Sequence, residues 1–474
     1  MEDFSIKKLI FQDKDVEIIS QKIYEEGERK ILIIVARSKT ITFPQICHRC
    51  GSIANFERKG LYTRTIKEMK IFDLEVIIKY KQVRLRCIEC KKGINEILEF
   101  VKPASRLTNN LENEIVSRKE KGISMIQISD NIGTSITTIT NKLEKKEQIK
   151  RLPLSEVLCF DEFKGPAEFG KYPFIIVNPY TSEIIDIIGC RQQNYLFNYF
   201  ENIDLSEREN VKYIVTDLTG TYMMPIKRCF PNAKHIADRF HWLSLVTKSI
   251  QDIRISAMNF HKRVAYKIAQ QYAKEEKSIE RAAKSNEHYK IYYALKMNYK
   301  ILNYNTYDNE YFNYLEGPAK LYKENKKYTR QQILEYILNN DSDLAEAYIL
   351  LQELYDIAFT STEMNARKRI NGWVKKVKAS DKHISALKDA ALTIGSWIIP
   401  ITNSFHIDET KFGLLSNGPC EAKNNTVKSI IKAGYGYKDF NLLRKIVLMD
   451  DRERTRRKEK EKNKKYNNFI RKNL

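Results

Sequence analysis

Nowhere does the chain gather the roughly 18 consecutive apolar residues that a membrane-spanning helix needs, so no such span is expected. Its start, Met1-Glu2-Asp3-Phe4, has neither the basic nor the apolar region of a secretory signal. A cytoplasmic location follows as the expectation. No internal repeat of useful length is present, which argues against a solenoid or propeller. Cysteine is sparse, with eight in 474 residues. In a reducing compartment these read as thiols or metal ligands rather than disulfides. Acid is the scarcer charge: 60 Asp and Glu stand against 82 Lys and Arg, a formal net charge of +22. Such an excess favours a polyanionic partner, although a Lys-, Ile-, Asn- and Tyr-rich composition is also what AT-rich coding produces. An apolar share of 42% suffices for ordinary cores. The length suggests about two to four domains.

Four of the cysteines fall into two pairs, Cys47-His48-Arg49-Cys50 and Cys87-Ile88-Glu89-Cys90, with thirty-six residues between them. Each pair can grip one ion, and four thiolates make a closed tetrahedral Zn²⁺ site. Gly51 allows the first knuckle to turn. The spacer is longer than in the usual zinc ribbon, but the partly alternating stretch from Glu75 to Arg86 reads as a strand that fills it. Four buried structural thiols are the competing reading. Cys159, Cys190, Cys229 and Cys420 are scattered singly and read as core residues.

Residues 111–148 read as three short helices. Gly122 and Gly133 break them, and Ser124 and Ser135 are placed to cap the second and third. Ile136, Ile139 and Leu143 give the third an apolar face. Its other face offers Thr137, Thr138, Asn141 and Lys142, side chains able to read base edges in a major groove. A small helical linker is the alternative. A basic run, Lys145-Lys146-Glu147-Gln148-Ile149-Lys150-Arg151, then leads onward; it can track phosphates or simply be solvated.

From Leu154 the pattern becomes one of buried strands. Val157 to Phe160 leads to Asp161. Pro173 to Val177 and Ile184 to Ile188 flank a turn-rich segment in a hairpin pattern. Tyr195 to Ile203 reads as a helix, Tyr213 to Thr216 as a strand ending at Asp217, and Lys234 to Ala237 as a fifth strand. Three strands, helix, strand, helix, strand, helix is the ribonuclease-H-like order. Carboxylates at strand ends point into the crevice where open α/β sheets bind ligands. Residues 243–400 are charged, Tyr-rich and poor in Gly and Pro, the pattern of an all-helical insertion; Trp373 and Trp397 are expected to anchor its core. Two hundred and three residues separate Asp217 from Glu421. The latter opens a helix on which Glu421, Asn425, Lys428 and Lys432 share one face. Three carboxylates suit Mg²⁺, and two such ions about 4 Å apart are the usual device for in-line phosphodiester chemistry. A capped surface helix is the competing reading of the last segment.

Taken together these residues resemble the ISL3 family of bacterial insertion-sequence transposases, recombinases of the DDE type. The resemblance rests on the cysteine quartet, Phe160-Asp161-Glu162-Phe163, Thr216-Asp217, Phe230-Pro231-Asn232-Ala233, Ala237-Asp238-Arg239-Phe240-His241, and Ser416-Asn417-Gly418-Pro419-Cys420-Glu421 with Asn424, Asn425 and Lys428. Gly434-Tyr435-Gly436-Tyr437, Phe440 and Arg444 also fit. It implies that Asp161, Asp217 and Glu421 are the triad that binds Mg²⁺ or Mn²⁺, and that Asp238 and His241 adjoin the site. The chain departs from the family at Ala422, where glycine is frequent, and at Lys432-Ala433, where Lys-Arg is. That leaves the DNA contacts of Asn425, Lys428 and Lys432 less defined than the acid itself.

The organisation expected is a zinc-binding β domain over 1–103, a helix-turn-helix over 104–151, an α/β ribonuclease-H-like core over 152–242 interrupted by the helical insertion over 243–400 and resumed over 401–450, and a basic tail over 451–474. The tail is expected to be an extended, phosphate-tracking arm; a solvated helix is its rival. The function expected is binding of terminal inverted repeats, Mg²⁺-dependent strand cleavage and transfer into target DNA. The partners expected are double-stranded DNA and further copies of the chain, as a homodimer or larger homo-oligomer on DNA, in a nucleoid-associated bacterial protein. A domesticated regulator that binds DNA without cutting it, and a nuclease that cuts without joining, are the alternatives.

Overall fold

The computed structural model describes residues 10–11, 15–27, 29–41, 44–53, 55–145, 148–308, 310–322, 326–408, 413–434 and 436–473. The N-terminal tetrapeptide, Lys146, Glu147, Tyr435 and Leu474 therefore lie outside the described residues. Two compact units emerge. One comprises Met1–Arg151, Lys164–Lys171 and Asn425–Leu474; the other comprises Leu152–Phe163 and Tyr172–Asn424. Among the described residues no helix is long and apolar enough to cross a membrane.

The first unit is built on a five-stranded sheet of β1 (Val16–Glu26), β2 (Arg29–Ser38), β3 (Phe56–Ile71), β4 (Leu74–Cys87) and β5 (Gly93–Asn95). Its order is β1-β2-β4-β3, with β5 added to β4. β2 and β4 run parallel, and their register sets Leu32 beside Val76, Ile34 beside Ile78 and Ala36 beside Tyr80. All six are buried. The period of two thus puts one apolar face on each strand and both faces on the same side. Phe100 and Phe11 close this core edge to face, 5.1 Å apart. β3 is stitched to the following helices by Lys67 N–H to Arg106 C=O at 2.8 Å and Thr108 N–H to Lys67 C=O at 3.1 Å.

Three helices follow, Asn109–Glu120, Met125–Ile132 and Ile136–Lys145. Thr108 caps the first through Leu111 N–H. Ser124 and Gln127 form a reciprocal capping box on the second, which ends at Gly133 with φ +67°, a left-handed conformation that glycine adopts without strain. Leu111, Ile115, Ile128, Ile139 and Leu143 pack with Leu442, Ile446 and Met449 from the last helix of the chain, Phe440–Asn473. Lys445, 1% exposed, donates from Nζ to the carbonyls of Leu143 and Glu144, both at 2.9 Å. The amine thereby satisfies the free carbonyls at the end of the third helix.

The expectation of an extended tail is corrected here: the segment after Asp451 continues a helix to Asn473. Its charges do not simply repel. Arg454 pairs with Asp450 at 2.5 Å, and Arg456 and Arg457 pair with Glu453 at 2.7 and 2.9 Å. The i,i+3 and i,i+4 spacing of opposite signs supports the helix.

The second unit holds another five-stranded sheet: β6 (Val157–Glu162), β7 (Phe174–Asn178), β8 (Glu183–Ile188), β9 (Tyr213–Thr216) and β10 (Lys234–Ala237). The order is β10-β9-β6-β7-β8. β10, β9 and β6 are parallel, while β7 and β8 are antiparallel additions. Leu158 and Phe160 point into a core with Phe174, Phe200, Ile214 and Phe230. Alternation sends Cys159 and Asp161 to the opposite face.

After β10 a 34-residue helix, Arg239–Tyr272, begins a mainly helical body that runs to Ile398–Asn403. It is not wholly helical, since Pro318–Ala319 pairs with Tyr328–Thr329 in a short antiparallel ladder. Its core includes Trp242, Leu350, Leu354, Ile370, Trp373 and Trp397. Trp373 donates its indole N–H to the Leu350 carbonyl at 2.7 Å, and Trp397 meets His235 edge to face at 5.6 Å. Both tryptophans are core residues, closed to base stacking.

Candidate active site

Asp161 and Asp217 arrive side by side for a reason of register. Phe160 pairs with Thr216 across parallel β6 and β9, and each acid is the next residue along. Neighbouring strands lie about 4.8 Å apart, so both carboxyl groups leave the same end of the sheet. Burial, and then the nearby Asp217 charge, push the Asp161 carboxyl up to about 7.

The third acid is brought in by the segment that covers this face. The carbonyl of Ser416 lies 3.4 Å from Cys159 Sγ. Asn417, fully buried, donates from Nδ2 to Asp217 Oδ1 at 3.0 Å and to the Phe160 carbonyl at 3.3 Å. Helix Gly418–Ala433 starts there. In its second turn Asn424 donates from Nδ2 to Asp161 Oδ2 at 2.6 Å and to the Glu162 carbonyl at 3.2 Å. Glu421 lies between these two asparagines in sequence, with its side chain half exposed.

Asp238 and His241 join the set from the first turn of helix Arg239–Tyr272. Asp238 is 4% exposed. One of its oxygens caps the helix through Phe240 N–H at 2.8 Å; the other accepts the backbone N–H of Asn417 at 2.6 Å. This carboxylate thus ties the helix start to the loop that carries Asn417. His241 Nε2 lies 2.9 Å from Asp217 Oδ1 and 3.4 Å from Glu421 Oε1. The contact with Asp217 holds the imidazole above its usual range. Two acids two hundred residues apart in sequence therefore meet at one ring.

Glu162, next to Asp161, points the other way along the pleat. Its carboxylate is held by Arg191 and by the Tyr222 hydroxyl, and burial raises its carboxyl despite that guanidinium. It is a structural anchor rather than a fourth free acid.

With this geometry in hand, the family comparison decides the class. Residues 158–447, more than half of the chain, match the ISL3 family, described as transposase. The chain belongs to that family. The matched segment begins inside β6 and includes all three acids, Asp238, His241 and the helical body; the cysteine quartet and the three short helices precede it. The transposase for insertion sequence element IS1001 of Bordetella parapertussis is 21% identical over 403 residues, spanning 83% of this chain and 86% of that protein.

Membership implies use of a divalent metal ion, and the residues fit one. The donors are carboxylate oxygens, which suit a hard cation. Burial, and then the neighbouring Asp217 charge, hold Asp161 near 7, a balance that a cation would reverse, and the amide oxygens of Asn417 and Asn424 are buried without a donor. Asn417 and Asn424 were not singled out as site residues by the sequence reading; only their place beside Glu421 in the quoted motif signalled them. Their amide groups hold the Asp217 and Asp161 carboxylates by hydrogen bonds. Asn417→Ala is expected to slow DNA cleavage about ten- to a hundredfold and to raise the Mg²⁺ concentration needed for half-maximal rate, the usual cost of losing a partner that orients a metal ligand. An unchanged rate and Mg²⁺ midpoint would show that Asn417 only packs.

The four cysteines also come together. Their sulfurs all lie within 4.8 Å of one another, with Cys47 to Cys90 and Cys50 to Cys87 both 3.8 Å. A tetrahedron with Zn–S bonds of about 2.3 Å has edges of about 3.8 Å. Both knuckles are built alike: Gly51 N–H returns to the Cys47 carbonyl at 2.7 Å and Lys91 N–H to the Cys87 carbonyl at 3.0 Å, with φ of +72° and +57°. The Cys90 backbone N–H draws the Cys87 thiol down to about 6, towards the thiolate that metal binding needs, while burial and the other three cysteines push Cys90 up to about 11 without an ion between them.

The remaining candidates divide. Thr137 and Asn141 are exposed on helix Ile136–Lys145. Thr138 Oγ1 is engaged with Ser135 Oγ at 2.9 Å. Lys142, read with them as a side chain for base edges, has its ammonium paired with Glu112 of helix Asn109–Glu120. Asn425, Lys428 and Lys432 are exposed.

Proposed function

We propose that this transposase binds the terminal inverted repeats of its own insertion sequence, cuts a strand at the repeat boundary, and joins the freed 3′-hydroxyl to target DNA. The observation that carries the reading is the convergence of Asp161, Asp217 and Glu421, through His241 and the two asparagines, at the ends of adjacent parallel strands. In this reading the sheet is a ribonuclease-H-like core, the mainly helical body is an insertion into it, and the three acids hold Mg²⁺ or Mn²⁺. The bound ions would activate the attacking water and stabilise the charge on the departing oxygen.

The chain's own residues then have distinct tasks. Asn424 fixes the Asp161 carboxylate, and Asn417 with His241 fixes that of Asp217. The Asp238 carboxylate locks the loop before Glu421. Each transfer breaks one phosphodiester bond: water takes up one side in cleavage, and the 3′-hydroxyl forms a new phosphodiester in joining, so joining needs no external energy. The three short helices act as a helix-turn-helix that offers Thr137 and Asn141 to base edges; Asn425, Lys428 and Lys432 contact phosphates, and the quartet holds structural Zn²⁺. The test is direct. The purified chain is mixed with duplex carrying the repeats that flank its gene, with Mg²⁺. A cut at the repeat boundary, absent with scrambled ends or with chelator, is the expected result; no cut under any divalent ion would overturn the reading.

A further inference from the structure

We infer that Phe240 stacks on a base beside the scissile phosphate and holds the DNA end locally unpaired while it is cut. The inference rests on the reading that this site cleaves DNA. The first turn of helix Arg239–Tyr272 assigns each residue a direction. Arg239 faces inward, donating to the carbonyls of Ala358 at 2.9 Å and Ser404 at 3.3 Å. Trp242 is fully buried. Asp238 and His241 face the acids. Phe240 alone projects outward, 69% exposed, its ring edge-on to His241 with centroids 5.6 Å apart.

An exposed first-turn position ordinarily carries Asp, Glu or another polar residue, which suits the positive end of the helix dipole. This turn contains no acid. An acid here would repel an incoming phosphate, whereas an aromatic face attracts a base and is indifferent to its identity. The backbone is rigid at this point, because Phe240 N–H is bound to the capping oxygen of Asp238. The distances also agree. His241 touches two of the acids, and Phe240 sits one ring further out. Bases rise about 3.4 Å per step along a strand, so a base about one to three steps from the phosphate at the acids comes within reach of the ring. The phosphate lies on the outside of the duplex and is reached without unpairing, but a duplex end opens readily, and where it opens beside the cut a stacked aromatic offsets part of the lost base stacking.

The test uses the full chain and the flanking repeat duplex. Phe240→Ala should slow cleavage of a fully paired end about ten- to a hundredfold, the effect of losing one stacked base. Phe240→Trp should recover most of that loss. A mismatch or abasic gap opposite the nucleotides next to the cut should rescue Phe240→Ala and change the wild type little. Because the residue is exposed, melting temperature should be unaltered. An alanine variant that cuts the paired end at the wild-type rate, or one that mismatches fail to rescue, would overturn the inference. If the wild-type chain cuts no DNA, the transposase reading fails separately. Phe240 is then judged by 2-aminopurine placed beside the repeat boundary in the bound complex. A fluorescence difference between wild type and Phe240→Ala supports stacking, and identical spectra refute it.

Discussion

Asp161→Asn, Asp217→Asn and Glu421→Gln are each expected to lower Mg²⁺-dependent cleavage about a thousandfold or more, since each deletes an anionic oxygen from the proposed metal site, where a bound ion would supply several kcal/mol of transition-state stabilisation. Binding of the repeat duplex, read by mobility shift, should stay within a few fold, because Thr137 and Asn141 lie on another helix and the exposed Asn425, Lys428 and Lys432 keep their side chains. Asp161→Asn carries a second, opposite consequence. The folded-state carboxyl sits at about 7 against an ordinary 3.8. A raised pKa means that the folded chain holds its proton longer than the unfolded chain, so metal-free stability is highest below about pH 4 in this term and is lost as pH rises through 7. Asparagine removes the buried charge. The metal-free variant should therefore melt above wild type at pH 8, and the difference should shrink towards pH 5. A variant that is inactive but also less stable at pH 8 would show that the side chain is needed for folding rather than for holding metal.

Removal of zinc should unfold the first sheet while leaving the catalytic sheet intact. Sulfurs 3.8 Å apart on two knuckles leave four thiolates to repel one another without an ion between them. Binding of structural zinc is worth about 10–16 kcal/mol in small zinc modules and appears directly as folding free energy, more than the margin of a typical domain. Cys50→Ser or Cys87→Ser should lower zinc content from one ion per chain towards zero and make the sheet containing β3 and β4 protease-sensitive. End binding should fall with it, because β3 is bonded through Lys67 to the segment that opens the three helices. Full zinc occupancy in Cys87→Ser, or an unchanged protease pattern after chelation, would contradict the tetrahedral assignment.

The acids could be read because their chemistry leaves a local mark. An apolar run that ends in Asp states both the strand and the exit of its carboxylate, which is why Asp161 and Asp217 stood out before any fold was known. The paired cysteines are equally local. The two asparagines carry no such mark: Asn417 finds Asp217 two hundred residues away, and Asn424 finds Asp161 at a still greater separation. Only the return of the chain over the Cys159 face makes them site residues. Lys142 shows the same limit. Helical spacing puts it on an open face, and spacing cannot see its ion pair with Glu112 on the first of the three helices. The tail is helical rather than extended because the interleaved Glu453 pairs with Arg456 and Arg457 at helical spacing, which a count of like charges does not register.

If these three acids join DNA as well as cut it, strand transfer reads that out without intermediate steps. A labelled element end carrying a free 3′-hydroxyl is incubated with the chain, Mg²⁺ and an unlabelled plasmid. Label covalently joined to plasmid through that hydroxyl, and lost with Asp217→Asn, is the expected result. Nicked ends without any joined product, or joining that persists in Asp217→Asn, would contradict it.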